Sequence, residues 1–311
     1  MLTGQVGAEA AEHSARGSGA LVVVLVLLWS GLAAAQSEPA EYLGDEVCAA
    51  CHEDLLAAYQ KTRHAKLFGS KAPHLAGVQT GCEACHGPGS QHVEAGGGND
   101  VGNLITFRAE DAPGQSREAE TCMKCHEGEK RLYWHGSVHP SADVSCKSCH
   151  TVMKANSREN LLTHESETET CAQCHLMPRS QQFRNAHMPV REGKMSCSSC
   201  HNPHGTIADR LISDHTINDG CYRCHAEKRG PFAYEHPPVY ENCLNCHHPH
   251  GSTRRAMLKL SLPRLCQQCH VGGHGGSPRD PEHRFVISSS CLQCHPNVHG
   301  SNHPSGERFT R

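Results

Sequence analysis

The sequence of 311 residues is poor in the side chains that build an ordinary hydrophobic core. Only 5% of the residues are aromatic, and the mean hydropathy is −0.54. Side-chain burial alone cannot offset the conformational entropy of ordering such a chain, so something else must fill its interior or it stays loosely structured. The net charge of −3 includes no basic excess, which argues against a nucleic-acid partner.

The first 35 residues are predicted to be a signal peptide. Ala20 to Trp29 form an unbroken apolar run, and Ala33 to Ala35 offer an A-x-A cleavage site before Gln36. The run is shorter than the roughly 20 apolar residues that a transmembrane helix needs. An uncleaved signal anchor is the alternative, since the residues before the run are not basic. The mature chain is therefore expected to be exported.

All 20 cysteines fall in ten C-x-x-C pairs, and a histidine follows every pair directly. This is the attachment motif of haem c, in which two thiols bind the porphyrin and the adjacent histidine binds its iron. Zinc ribbons and thioredoxin-type pairs also use C-x-x-C, but neither requires a histidine after each pair. The sequence therefore predicts ten haems c. In order, motifs 1 to 10 use Cys48 and Cys51, Cys82 and Cys85, Cys122 and Cys125, Cys146 and Cys149, Cys171 and Cys174, Cys197 and Cys200, Cys221 and Cys224, Cys243 and Cys246, Cys266 and Cys269, and Cys291 and Cys294. The predicted proximal ligands are His52, His86, His126, His150, His175, His201, His225, His247, His270 and His295.

A second axial ligand is expected from the remaining histidines, which outnumber the methionines of the mature chain. The ten predicted distal ligands are His64, His92, His139, His164, His187, His204, His236, His250, His274 and His299, with His215, His283 and His303 as alternatives to His164. Two histidines per iron leave no position open for a substrate, which suits electron transfer and disfavours an enzyme. The spacing does not show which distal histidine serves which motif.

From Cys122 onward the motifs start 22 to 26 residues apart, so the chain is an internal repeat. A unit this small has room for one short helix and a loop, and it buries little without its haem. We therefore predict a multihaem cytochrome c fold, an elongated haem wire of short helices and loops with little or no β-sheet. Helices are expected at Glu46 to Thr62 and at Ser166 to Leu176, and loops at Gly87 to Asn103 and at Val271 to Pro281.

Several stretches resemble the periplasmic decahaem cytochromes of outer-membrane porin–cytochrome conduits, the MtrA, DmsE and PioA type. They include Cys200 to Gly205 (CHNPHG), Cys221 to Pro231 (CYRCHAEKRGP), Glu241 to Ser252 (ENCLNCHHPHGS) and Val298 to Gly306 (VHGSNHPSG). The resemblance covers nearly the whole mature chain. One departure is that Met153 stands where a histidine is expected after motif 4, so that His164 would have to supply that ligand.

The resemblance implies two pentahaem halves, here 36–185 and 186–311. It implies a periplasmic protein associated with the outer membrane, which carries electrons across that membrane within a β-barrel porin. The implied partners are the porin, an outer-surface multihaem cytochrome, and periplasmic or inner-membrane cytochromes that donate or accept electrons. The alternative is a soluble periplasmic electron shuttle, or an electron-transfer subunit that feeds a terminal reductase.

Overall fold

A computed structural model describes residues 39–70, 75–98, 101–108, 117–157, 159–271, 274 and 289–310. The predicted signal peptide lies outside these ranges, as do parts of the two predicted loops. Within the described ranges, no helix is both long enough and apolar enough to cross a membrane.

The described chain consists of short helices joined by turns, as the sequence predicts. The α-helices are α1 (Asp45–Ala49), α2 (Glu53–Tyr59), α3 (Arg63–Phe68), α4 (Glu83–His86), α5 (Ser90–Glu94), α6 (Arg117–His126), α7 (Val138–Ser141), α8 (Cys146–Cys149), α9 (Glu167–Ala172), α10 (Leu176–Gln181), α11 (Met188–Arg191), α12 (Ile217–Tyr222) and α13 (Pro237–Glu241). Single 3-10 turns lie at Glu129–Arg131, Trp134–Gly136, Cys197–Ser199, Asp209–Leu211, Ala226–Lys228, Cys243–Asn245, Arg255–Met257, Cys266–Gln268, Cys291–Gln293 and Gly306–Arg308. The described residues hold isolated β-bridges but no strand, which confirms the predicted fold class.

The attachment motifs interrupt helices that the sequence predicts as continuous. The helix expected over Glu46 to Thr62 is split at His52, whose backbone (φ −117°, ψ 39°) is not helical. The second predicted helix begins where expected, because Ser166 and Glu169 form a reciprocal capping box. It too ends within its motif, and α10 begins only after His175. At both sites the helix ends between the two cysteines, and the next helix begins directly after the histidine that follows the pair.

Few apolar side chains are buried, in keeping with the composition. The buried apolar residues among those described are Tyr59, Ala119, Met123, Trp134 and Ala172. Buried polar residues outnumber them and include Glu83 and Glu118, which are 3% and 4% exposed. The described chain therefore has no conventional core of packed side chains.

The later units repeat one backbone arrangement. In motifs 4, 6 and 8 the histidine after the second cysteine forms an isolated bridge, namely His150 to Leu162, His201 to Ile212 and His247 to Leu258. A further bridge joins Asn185 to Ser252, across the predicted boundary between the two halves. The halves are thus linked by backbone hydrogen bonds, and the boundary at 185 remains a prediction.

Candidate haem sites

Eight proximal histidines lie ring to ring with a predicted distal histidine. The centroids are 5.9–6.4 Å apart in all eight pairs. The pairs are His52–His92, His126–His64, His150–His204, His175–His139, His201–His250, His247–His299, His270–His236 and His295–His274. Each pair joins the histidine of one motif to a histidine from another part of the chain.

This separation fits two imidazoles that bind one iron from opposite sides. A metal–imidazole bond is about 2 Å long, and a ring centroid lies about 1 Å beyond the bonded nitrogen, so the two centroids should be about 6 Å apart. Rings stacked directly on one another would be closer. The residues present therefore fit a haem iron held between each pair.

The proximal rings of the even-numbered motifs are oriented by backbone carbonyls. Their Nδ1 atoms donate to the carbonyl oxygen of a residue 9 to 19 positions later, over 2.5–2.9 Å. The bonds are His86 to Ile105, His150 to Asn160, His201 to Arg210, His247 to Ala256 and His295 to Arg308. A donating Nδ1 fixes the tautomer and leaves Nε2 free to bind a metal.

Two predicted distal rings are fixed in the same way. His139 Nδ1 donates to the carbonyl of Pro203 (2.7 Å), and His187 Nδ1 donates to the carbonyl of Pro249 (2.8 Å). Both prolines come directly before another predicted distal histidine. One turn of chain therefore presents one distal histidine and orients a second.

Burial keeps several of these imidazoles neutral, which is the form that binds a metal. It lowers the pKa of six of them; the paired ring lowers it further in five, and the nearby Arg131 and His150 do so at His126. They are His64, His126, His204, His236, His250 and His299. The effect is largest at His204, whose pKa falls to about 4 through burial and the nearby His150.

Four predicted ligands have no such ring partner among the described residues: His86, His164, His187 and His225. His86 contacts Phe107 edge to face, with centroids 5.4 Å apart. The Nδ1 of His225 is 3.7 Å from the Glu227 carboxylate.

His164 Nδ1 is 3.1 Å from the Thr163 hydroxyl. Of the alternatives to His164, His283 lies outside the described residues, and His303 Nδ1 accepts from the backbone N–H of Ser305.

The thiols of consecutive motifs influence one another along the whole series. The first cysteines of motifs 3 and 4 interact so strongly that the pKa of Cys146 falls to about 7 while that of Cys122 rises. Hydrogen bonds between first cysteines alternate with electrostatic interactions between second cysteines. They join Cys48 to Cys82, Cys85 to Cys125, Cys122 to Cys146, Cys149 to Cys174, Cys171 to Cys197, Cys200 to Cys224, Cys221 to Cys243, Cys246 to Cys269 and Cys266 to Cys291. Every motif is therefore a spatial neighbour of the next one in sequence.

Comparison with known proteins assigns the chain to a family. It is 42% identical over 280 residues to the multiheme cytochrome MtrA of Shewanella baltica, covering 86% of this chain and 81% of that protein. The chain belongs to the MtrA family of multihaem c-type cytochromes. Residues 187–230 and 236–274 match the doubled CXXCH motif family, and residues 82–171 match the NrfB-like cytochrome c-type family.

More distant relatives share only part of the chain. The C-type polyheme cytochrome OmcB of Geobacter sulfurreducens is 32% identical over 43% of this chain and 14% of its own length. The cytochrome c-type protein NrfB of Escherichia coli is 28% identical over 35% of this chain and 56% of its own length. As a member of the MtrA family, the protein is an electron-transfer cytochrome that binds haem c.

Family membership also explains a cluster that resembles a metal site. The Glu167 carboxylate and the thiols of Cys171 and Cys197 lie within 4.8 Å of one another. Both thiols are the first cysteines of C-x-x-C-H motifs, which are typical of this multihaem family, so the cluster is not evidence for a separate ion.

The sequence did not reveal which histidines pair, because partners lie 21 to 62 residues apart. A signal was present in the repeated segments His201 to His204 and His247 to His250. In each, a second histidine follows the proximal one by three residues. That histidine is held by its own motif's loop but pairs with the motif two positions earlier.

Proposed function

We propose that this MtrA-family protein binds ten haems c and conducts electrons across the outer membrane within a porin–cytochrome complex. The ten cysteine pairs would attach the haems, and the eight histidine pairs would supply both axial ligands at eight of them. His187 would complete the site of His225, because its hydrogen bond to Pro249 has the geometry of the His139 bond to Pro203. His139 lies 36 residues before its partner, and His187 lies 38 residues before His225.

The observation that carries this proposal is the unbroken sequence of neighbouring motifs. The nine hydrogen-bonding or electrostatic interactions between consecutive cysteine pairs leave no gap between motif 1 and motif 10. A haem iron with two histidine ligands exchanges single electrons without an open coordination position. The protein's own contribution is to fix the tautomer and orientation of seven of the imidazoles through carbonyl hydrogen bonds and to hold adjacent sites close together.

The resemblance to conduit cytochromes supports the location and the partners. An exported, polar chain cannot face lipid, so a path through the roughly 30 Å hydrocarbon core requires a surrounding β-barrel. The porin would be the stable partner. An outer-surface multihaem cytochrome and periplasmic or inner-membrane cytochromes would exchange electrons at the two ends. No substrate site is proposed, since two histidines would leave no open position on the iron at nine of the ten motifs.

Haem counting and membrane fractionation test the proposal together. Pyridine haemochrome assay with intact mass should give ten haems per chain. The protein should also co-purify with a β-barrel porin from detergent-extracted outer membranes at a fixed ratio. Liposomes containing that complex should then pass electrons from an internal donor to an external oxidant.

Two results would contradict this function. Markedly fewer than ten haems would remove the continuous pathway. Ten haems in a protein that stays in the porin-free periplasmic fraction would instead favour the alternative, a soluble shuttle or a subunit that feeds a terminal reductase. The match of residues 82–171 to the NrfB-like cytochrome family is the observation that supports this alternative.

A further inference from the structure

Motifs 4, 6 and 8 take their second histidine from one repeated position. His150 of motif 4 pairs with His204, His201 of motif 6 with His250, and His247 of motif 8 with His299. In sequence, each partner lies three or four residues after the proximal histidine of the motif two positions downstream. Motif 2 should therefore draw its ligand from the equivalent position after motif 4.

That position is Met153. Two residues earlier, the backbone N–H of Thr151 donates to the Leu161 carbonyl over 2.7 Å. The same bond occurs two residues before His204, from Asn202 to Leu211 (2.7 Å), and two residues before His250, from His248 to Met257 (2.8 Å). Met153 thus occupies the register at which the later units place a ligand.

The motif 2 site belongs to the even-numbered type. His86 Nδ1 donates to the Ile105 carbonyl over 2.6 Å, as the other even-numbered proximal histidines do to their own loops. The side chain of Lys147, in the motif 4 helix, donates to the carbonyl of Arg108. Arg108 directly follows Phe107, whose ring contacts His86. Motif 4 is therefore bound to the loop that encloses the His86 site.

His164 occupies a different position in the unit. The N–H of Thr163 donates to the Cys149 carbonyl, and the corresponding bonds run from Ser213 to Cys200 and from Lys259 to Cys246, all 2.9 Å long. His164 therefore corresponds to Asp214 in the motif 6 unit. The Asp214 carboxylate forms an ion pair with Arg223 (3.1 Å) inside motif 7, the motif that follows its own unit. By this register His164 faces the next motif, whereas the missing ligand must reach back two motifs.

We infer that Met153 is the sixth ligand of the motif 2 haem, opposite His86, so that this site has one histidine and one methionine. The inference rests on the proposed binding of haem at motif 2. A methionine ligand raises the reduction potential relative to a second histidine. The second site from the amino-terminal end would therefore hold an electron more tightly than its bis-histidine neighbours.

The residue after Met153 supports a local departure from the repeat. His204, His250 and His299 are each followed by a glycine with φ of +115° to +133°, and that residue closes a hydrogen-bonded turn. The corresponding residue is Lys154, which does not adopt a positive φ. In the motif 4 unit, therefore, the residue at the ligand position and the turn that follows it both differ from those of the later units.

Near-infrared magnetic circular dichroism of the oxidised holoprotein tests the inference, because charge-transfer bands of His/Met and bis-His haems fall at different wavelengths. The wild type should show one methionine-ligated haem among ten. Met153→His should convert that signal to the bis-histidine type and lower one potential in a redox titration. Met153→Leu should abolish the methionine signal. Met177→Leu is the matched control, because Met177 is 72% exposed and should leave the spectrum unchanged.

Three outcomes would overturn the inference. They are a wild-type spectrum without a methionine signal, a methionine signal that persists in Met153→Leu, and loss of one low-spin haem in His164→Ala. The wild-type spectrum decides the matter even if a variant does not accumulate. A haem count far below ten would instead refute the proposed function, so the two failures are distinguishable.

Discussion

The region of motifs 1 to 3 and the region of motifs 4 to 10 hold their histidine pairs by different means. In the later region, closely spaced units repeat one bridge and one turn, and each turn supplies a ligand to an earlier motif. In the first region, His64 and His92 lie on the short helices α3 and α5. That region also contains the longest helix of the described chain, α6, with ten residues.

The first region also has stabilising contacts of its own. Glu83 is 3% exposed and accepts hydrogen bonds from the backbone N–H groups of Leu43, Gly44 and Gly89 over 2.8–3.0 Å. Where the repeat is regular, the haems and the histidine ligands that one unit supplies to another can replace a side-chain core. Where the spacing is irregular, buried polar contacts supplement them.

Blocking haem attachment should have the largest effect, and it should be greater in the repeat. We expect Cys221→Ser with Cys224→Ser to abolish ordered structure around motif 7, at a cost on the order of 5 kcal/mol or more, because a bound structural group contributes folding free energy directly. Cys48→Ser with Cys51→Ser should leave the segment held by Glu83 protected. Limited proteolysis with mass spectrometry would compare the two. Equal protection of both regions would contradict the claim that the first region has stabilising contacts that do not depend on haem.

Gly251→Ala tests the turn that the repeat uses to present His250. Gly251 has φ +126°, and an added Cβ would lie 2.3 Å from the Gln181 carbonyl oxygen. We expect a loss of about 3 kcal/mol, from backbone strain together with this clash. Gly193→Ala is the control, since Gly193 has φ +70° with nothing within 4 Å of the added atom, and it should cost about 1 kcal/mol. Denaturant titrations of the holoproteins would measure both, and similar losses would count against the turn.

The sequence predicted what depends on local pattern. Short helices, attachment motifs and proximal histidines follow from spacings of a few residues, and the capping box at Ser166 is readable directly. The pairing of His150 with His204 cannot be predicted from the sequence, because it depends on how segments 54 residues apart meet in space. The burial of Glu83 was equally hidden, since its three N–H partners come from two separate segments. The split of a predicted helix at His52, where the backbone is not helical, was likewise not foreseen.

Removing the Glu83 carboxylate should destabilise the first region selectively. We expect Glu83→Ala to cost about 2 kcal/mol, because three backbone N–H groups lose their acceptor. Glu94→Ala, on the exposed part of α5, should stay within about 0.5 kcal/mol of wild type. Hydrogen exchange should show faster exchange at Leu43, Gly44 and Gly89 only in the first variant. Unchanged exchange there would show that the carboxylate does not support this region.

The smallest effect is expected at the junction between the two regions, where Lys147 of α8 pairs with Glu118 of α6. Their nitrogen and oxygen are 2.9 Å apart, and the Glu118 side chain is only 5% exposed. Lys147→Ala should cost about 1–2 kcal/mol, because it removes a hydrogen-bond donor from the buried Glu118 carboxylate while Lys147 itself is partly exposed. The surface pair of Lys194 and Glu192 has the same separation but side chains that are 74% and 47% exposed, so Lys194→Ala should cost less than about 0.5 kcal/mol. Thermal unfolding at low and high salt would separate the two, since screening should weaken only the exposed pair. Equal losses in both variants would mean that α6 and α8 are joined through their adjacent cysteine pairs rather than through this ion pair.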